Sequence, residues 1–492
     1  MKKTKSAIVV GSGIAGIASA LRLRAKGYDV QVFEANSYLG GKLTKLTLGK
    51  YQFDAGPSLF TMPHFVEELF LLFNKTPSDY FLYKSCDTAC HYFFDDGIFL
   101  PFYVNLNKTI ESVENVLKID GDPLRRHFEK SKFIYEKTSR VFLENSLHDI
   151  RTYLNKGIIS SILALPSLSL FKTMNEANES ALNHPKLVQI FNRYATYNGS
   201  NPYQAPGILN IIPHLEHGIG SFFPIKGMYS ITTSLVKLAK EEGVIFKTNA
   251  RIDKILIKNK KVIGVNSNGK IYKSDLVFCN SDIKPAYKNL LQTVKKPKKT
   301  LSQEPSSSAM IFYWGIKKQF PKLDMHNIFF TNDYKQEFDS IFSKSTVYDD
   351  PTIYVHISSK MVTNYAPANC ENWFVMVNVP YNSGQDWGAL RNQIKRNILL
   401  KLKKQLGEDI ESLIEEEDYL DPIRIEERTS SFGGALYGAS SNDRTAAFFR
   451  HPNVTGVNGL YFVGGSAHPG GGIPLCLLSA KIATKYISSL NN

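Results

Sequence analysis

The chain has few cysteines and no long apolar run, and each shortage removes a class of protein. Its five cysteines (Cys86, Cys90, Cys279, Cys370 and Cys476) are too scattered for a disulfide framework. Cys86-x-x-x-Cys90-His91 could suggest a metal site, but no second ligand pair accompanies it, so the cysteines read as small packed hydrophobes. A helix needs about 20 apolar residues to cross a bilayer. One uncharged stretch rich in apolar residues, Gly157 to Phe171, has 15 residues, is interrupted by Pro166 and is bracketed by Lys156 and Lys172. It is expected not to span. HExxH, a nucleophile elbow, zinc-finger spacing, a nucleic-acid module signature and internal repeats are all missing, and no metal is expected.

What is present is a globular composition, 43% hydrophobic and 21% charged over 492 residues. That is more than one hydrophobic core usually supports, so two interleaved domains are expected. Lys and Arg number 59 against 45 Asp and Glu, a net charge of +14. Such an excess suits an acidic surface, nucleic acid or anionic lipid, or else a solvated lysine-rich exterior with no partner. With no nucleic-acid module in sight, lipid is the expected partner. Gly157 to Phe171 would then lie in the membrane interface with its flanking lysines on head groups; the competing reading is an internal helix or substrate lid.

The first 57 residues organise the rest. Ala7 to Val10 is a short apolar run of the kind that forms a buried parallel strand. It leads into Gly11-Ser12-Gly13-Ile14-Ala15-Gly16 and a helical run. Gly11 permits the tight turn, Gly13 lets backbone approach a pyrophosphate, and Gly16 lets the helix pack close to the strand. The helix start offers N–H groups and a positive dipole end to phosphate. A second strand, through Val30, Val32 and Phe33, ends at Glu34-Ala35. A carboxylate at Glu34 can accept both ribose hydroxyls of an adenosine and would repel a 2′-phosphate.

Just downstream, Gly40-Gly41-Lys42 permits a second close approach to the pyrophosphate, and Tyr51-Gln-Phe-Asp54-Ala-Gly56-Pro57-Ser58 follows. Together these resemble the FAD fingerprint of the amine oxidase and phytoene desaturase superfamily. That resemblance implies that the double glycine and the Asp54-Ala-Gly56 segment line the flavin half of the cofactor, with Gly56, Pro57 and Ser58 among the residues that bind it.

Further along, Phe65 to Phe73 reads as an amphipathic helix. Tyr80 to Pro101 reads as a hairpin turning at Asp95-Asp96-Gly97, and Asn107 to Asn145 as helix broken at Gly121-Asp122-Pro123. Phe222-Phe-Pro-Ile-Lys-Gly-Met228 resembles the segment where carotenoid desaturases return towards the flavin. A helix from Ser230 to Glu242 precedes strands that turn at Asn259-Lys260 and Asn268-Gly269, then Asp275 to Asn280. The family resemblance implies that Ile252 holds the adenine through its backbone. A basic loop, Lys295 to Lys299, precedes β-branched and aromatic runs at Met310–Trp314, Ile328–Phe330, Thr352–Val355 and Trp373–Val379. These fit an antiparallel sheet walling the substrate site. A charged helix is expected from Gln393 to Leu406.

The end restates the beginning. Strand Gly459 to Val463 leads into Gly464-Gly465-Ser466-Ala-His468-Pro-Gly-Gly-Gly472-Ile473-Pro474, then a helix to about Ser488. Pro474 suits a first helical turn. A glycine run into a helix start can aim N–H groups at a flavin ring and stabilise negative charge on its reduced form.

The whole chain resembles the bacterial phytoene desaturase family of carotenoid desaturases, most specifically at both ends. Gly465 to Leu478 looks most like the hydroxycarotenoid 3,4-desaturases of that family. The resemblance implies an α/β (α+β overall) fold. Its Rossmann-like FAD-binding domain would comprise residues 1–80, 225–300 and 425–492. The substrate domain would have a helical, membrane-contacting part at 81–224 and a mixed or antiparallel sheet part at 301–424. It implies an FAD-dependent oxidoreductase that removes two hydrogens from a C–C bond beside a polyene of a hydrophobic carotenoid. Hydride would pass to flavin N5 and oxygen or a membrane quinone would be the terminal acceptor. Glu216, His217 and His468 could assist proton loss or be structural. With a strand entered by Ala7, no secretory signal is expected, and the protein is expected in the cytoplasm, peripherally on the inner face of the cell membrane.

Phytoene desaturation and carotenoid cis–trans isomerisation remain open beside 3,4-desaturation of a 1-hydroxylated end. A flavin amine oxidase would need an aromatic cage and a lysine near N5 that the sequence does not reveal. A non-catalytic lipid-binding escort of prenylated GTPases shares the architecture, but its nucleotide motif is degenerate, whereas Gly11, Gly13, Gly16 and Glu34 stand intact here.

Overall fold

Ser6–Val10 alternates its side chains between two cores: Ala7 and Val9 face one, Ile8 and Val10 the other. A strand buried on both faces belongs in the middle of a covered parallel sheet, and that is its place in the computed structural model, which describes residues 5–139, 143–153, 168–443, 446 and 448–490. The sheet has five parallel strands in the order Leu460–Phe462, Leu276–Cys279, Ser6–Val10, Asp29–Phe33 and Ile245–Lys247. Helices Ile14–Ala25, Tyr229–Glu241 and Ile473–Lys485 pack on the Ala7/Val9 face. An antiparallel meander (Lys254–Lys258, Lys261–Ser267, Lys270–Lys273) covers the other through Ile255, Val262 and Val265. The turns at Asn259-Lys260 and Asn268-Gly269 fall where the sequence places them.

The helix Ile14–Ala25 is enclosed almost all round, including Arg22. That guanidinium reaches Glu68 at 3.1 Å on helix His64–Leu71, and Lys481 of the last helix reaches the same carboxylate at 2.7 Å. Glu68 thereby ties three helices together, and the two cations hold its carboxyl below the usual range against the opposing effect of burial.

A second, seven-stranded sheet runs Ile414–Leu420, Ser308–Ile316, Glu371–Val379, Ile353–His356, His326–Phe329, Thr88–Phe93, Phe99–Tyr103. It is mixed rather than wholly antiparallel. The expected hairpin Thr88–Tyr103 joins it by pairing parallel to His326–Phe329. Helix Trp387–Leu406 covers one face over Trp314, Val355 and Trp373. The other face, carrying Tyr313, Tyr354 and Phe374, meets Tyr51, Phe53 and Ala55 of the cofactor-side chain. The acidic strand Ile414–Leu420 was not anticipated; its charges sit at the sheet edge, where they meet water.

Helices Leu106–Leu117 and Asp122–Thr138 break at Gly121, with Pro123 in the first turn of the second. Of the stretch Gly157 to Phe171, residues 157–167 lie outside the described residues; Leu168 is buried and Phe171 is exposed. Among the described residues no helix is long and apolar enough to cross a membrane.

Candidate active site

The first glycine turn sits between the ends of three parallel strands. Gly11 N–H donates to the Phe33 carbonyl at 2.7 Å, which fixes the turn against the second strand. A methyl group at Gly16 would run into the Gly11 carbonyl oxygen, so only glycine lets the helix start this close to the strand. Ile14 and Ala15 are the first residues of that helix, and their N–H groups have no intrahelical acceptor by geometry.

Glu34 is buried at the end of its strand and carries no counter-ion within ion-pair distance among the described residues. Its Oε2 accepts from Ser12 N–H at 2.9 Å and Ser12 Oγ at 2.7 Å, and Oε1 accepts from Asn36 N–H at 2.9 Å. A carboxylate has about four lone-pair positions, so room remains for a ribose hydroxyl. The strand-end peptide is further fixed by Ala250 N–H, which donates to the Glu34 carbonyl at 2.8 Å. That contact brings the segment before Ile252 against the end of the Glu34 strand; Ile252 itself is buried with Phe33, and Ala35 is exposed.

The second glycine pair lies against the first. Gly40 bridges Gly13, with Gly40 N–H on the Ser12 carbonyl at 3.1 Å. Gly41 leaves so little room that an added Cβ would meet the Gly13 Cα at 3.2 Å. Lys42 then reaches across to the carbonyls of Ala435 at 3.1 Å and Leu436 at 2.7 Å. Next in line, a side chain at Gly56 would strike the Lys42 carbonyl, and Ser58 Oγ meets Tyr354 Oη at 2.7 Å.

The C-terminal glycines close the row from the other side. A side chain at Gly464 would collide with Asn280, Gly465 packs on Gly471 and Cys476, and Gly471 packs on Tyr437. Ser466 Oγ accepts from Ile283 N–H at 3.1 Å. Ile473 and Pro474 start the last helix. Predicted segments from five parts of the chain thus form one continuous line, running from Glu34 past the glycine turns to Lys42 and Ser58.

Two residues of this line were not foreseen. Asn280, at the end of its strand, places its amide oxygen (in the orientation that satisfies it) on Gly13 N–H at 3.2 Å and Gly16 N–H at 3.3 Å. Arg450 donates to the Tyr437 carbonyl at 2.7 Å and the Gly465 carbonyl at 3.3 Å. Burial lowers the Arg450 pKa to about 10 and the Lys42 pKa in the same direction. Neither cation has a carboxylate within ion-pair distance among the described residues. Two buried positive groups that only carbonyls accompany fit an anionic ligand better than an empty cleft. Lys42, Tyr437 and Cys476 also keep part of their surface open although burial shifts all three.

The three candidate proton acceptors are placed differently. His468 is buried with Nε2 on the Asn145 carbonyl at 2.8 Å, and burial lowers it to about 4. Glu216 accepts from Tyr197 Oη at 2.7 Å and stands 3.9 Å from Arg193, whose guanidinium also donates to Tyr197 and Tyr92, each at 2.8 Å. His217 Nδ1 meets the Tyr103 carbonyl at 3.0 Å and Nε2 meets Tyr194 Oη at 3.2 Å. Each is already committed to a partner within the chain.

The family model for flavin-containing amine oxidoreductases matches residues 14–488. The chain belongs to that family. This oxidoreductase is 50% identical over 488 residues to a 1-hydroxycarotenoid 3,4-desaturase of Flavobacterium sp. (strain P99-3), covering 99% of this chain and 100% of that one. It is 32% identical over 495 residues to a 4,4'-diaponeurosporene oxygenase of Staphylococcus aureus (strain MSSA476), covering 99% and 98%. Among solved structures, an oxidoreductase from Methanosarcina mazei superposes with a TM-score of 0.66 at 15% identity, covering 98% of this chain and 100% of that one. A putrescine oxidase variant superposes at 0.64 and 12% identity, covering 98% of each. At such identities these two speak to the fold alone. The resemblance read from the end motifs is borne out, as are the mixed α/β fold and FAD as cofactor. The line of glycines, the free capacity on Glu34 and the unpaired buried cations fit that cofactor.

Proposed function

We propose that this oxidoreductase is a carotenoid desaturase that introduces the 3,4 double bond into the 1-hydroxylated acyclic end of a monocyclic carotene. The observation that carries the reading is 50% identity, end to end, with the 1-hydroxycarotenoid 3,4-desaturase. At 32%, the diaponeurosporene oxygenases support oxidation of a carotenoid end more broadly.

When bound, FAD supplies the two-electron acceptor. Glu34 and the Gly11–Gly16 turn would hold the adenosine and pyrophosphate, with Gly40, Gly41 and Asn280 closing over them. Ile252 would border the adenine. Gly464, Gly465, Ser466 and the start of helix Ile473–Lys485 would flank the flavin, with Lys42 and Arg450 countering negative charge. Gly56, Pro57 and Ser58 would form the step to the substrate side. There the chain's task is to place one C–H bond and exclude water, which the aromatic inner face of the seven-stranded sheet suits.

The substrate's insolubility and the +14 charge support peripheral association with the inner face of the cell membrane. Oxygen or a membrane quinone would take the electrons onward. The test is a pigment spectrum after aerobic incubation of the flavin-loaded protein with a 1-hydroxylated monocyclic carotene and, in parallel, phytoene. A red shift of the hydroxylated carotene alone is expected. Colour from phytoene would make this the early desaturase instead. An altered isomer profile without a red shift would make it an isomerase.

A further inference from the structure

We propose that Tyr354, oriented by Ser58 and His326, receives the hydroxyl group of the substrate and so selects hydroxylated carotenoid ends; the proposal rests on the desaturase reading above. In a 1-hydroxylated end oxidised at the 3,4 bond, one carbon separates the hydroxyl-bearing carbon from the nearer reacting carbon. The group that recognises the hydroxyl must therefore adjoin the flavin-facing space. Tyr354 meets that requirement through Ser58, which continues the Gly56-Pro57 step beside Lys42.

The Tyr354 hydroxyl meets Ser58 Oγ at 2.7 Å and His326 Nδ1 at 2.7 Å. Tyr354 keeps part of its surface open, yet burial drives its phenol far above the usual range. His326 is nine-tenths buried, and burial lowers it to about 3, so the ring is neutral. The ring stacked on it at 5.0 Å, His356, holds the Met325 carbonyl through Nδ1 and leaves its Nε2 buried without a partner. Buried polar atoms without partners are uncommon in folded proteins and call for an explanation.

The chemistry of the cluster narrows the ligand. Neutral hydroxyls and a neutral imidazole offer donors and acceptors but no net charge, so an ammonium or carboxylate would lie there unpaired. A hydroxyl, which donates once and accepts twice, completes the set. The neighbouring Arg193–Tyr197–Glu216 group has its charges paired internally and is not that receptor. A substrate end without a hydroxyl would leave Tyr354 and Ser58 facing apolar carbon, the arrangement by which a polar pocket rejects an analogue lacking its polar group.

The experiment compares kcat/KM for a 1-hydroxylated carotene and for the same carotene without the hydroxyl, using wild-type protein, Tyr354→Phe and Ser58→Ala, each checked for bound flavin. In Tyr354→Phe the ratio of the two values is expected to fall about tenfold, the effect of one hydrogen bond of ordinary strength. Ser58→Ala should lower it less, since Tyr354 stays in place. A merely structural role would lower both values together and leave the ratio alone, which would overturn the proposal while the desaturase reading stands. Wild-type protein that turns over neither carotene would overturn the reading and the proposal with it.

Discussion

A single added methyl group at Gly16 tests the cofactor cleft most directly. It would press on the Gly11 carbonyl, backbone against backbone, and the turn would have to open to admit it. Gly16→Ala is expected to yield folded protein that has lost most of its bound flavin, measured by flavin absorbance per polypeptide. Gly456→Ala, at a position with open space around it and an ordinary backbone angle, serves as the control. Full flavin content in Gly16→Ala would refute this account of the turn. This constraint was legible in the sequence because it is written in residue type: only glycine fits. Arg450 and Asn280 carry no such mark. Each gains its role from backbone that arrives from elsewhere, Gly465 and Tyr437 for Arg450, Gly13 and Gly16 for Asn280. A lone arginine in a loop or an asparagine after a strand looks the same in any chain.

Elements were legible where one face repeats. The parallel strands are short apolar runs, and the last helix has its proline in the first turn. The acidic strand Ile414–Leu420 was not legible, because its Glu and Asp residues disfavour strand on propensity and only pairing with Ser308–Ile316 overrides them. There Glu417 accepts from Trp314 Nε1 at 3.1 Å and pairs with Lys395 at 2.6 Å, long-range contacts that no local pattern announces. Helix Asp122–Thr138 holds the opposite case, a polar residue on its apolar face. His127 is buried edge-on against Phe191 and neither ring nitrogen has a partner. Burial, and to a lesser degree Lys130, lowers it to about 3, whereas the unfolded chain titrates near 6.5. Because the folded value is the lower one, the stability linked to this group is present above pH 6.5 and is lost as pH falls. At pH 5 the loss is about 2 kcal/mol from this histidine. His127→Phe should therefore raise the denaturant midpoint, and by more at pH 5 than at pH 8. Equal gains at both values would show that the histidine does not titrate in this way.

Across the whole molecule, the surplus of 14 positive charges and the surface apolar groups would act on different terms of the proposed membrane affinity. The charge term is long-ranged and salt-sensitive: the Debye length shrinks from about 10 Å at 0.1 M salt to about 3 Å at 1 M. The apolar term is local and survives salt. Leu82 and Ile225 are both exposed and are joined by a hydrogen bond from Ile225 N–H to the Leu82 carbonyl at 3.0 Å; exposed Lys84 and Lys226 stand beside them in the chain. An apolar pair next to lysines suits a lipid interface, where hydrocarbon enters and ammonium groups stay at the head groups. The protein is expected to sediment with phosphatidylserine-containing vesicles at low salt and to be partly released at high salt. Leu82→Asp with Ile225→Asp should remove the part that salt leaves behind, because a carboxylate at that depth is costly and is also repelled by the lipid. If the pair instead faces solvent, the double substitution will leave vesicle binding unchanged at every salt concentration. Failure to sediment even at low salt would detach the +14 charge from any membrane role.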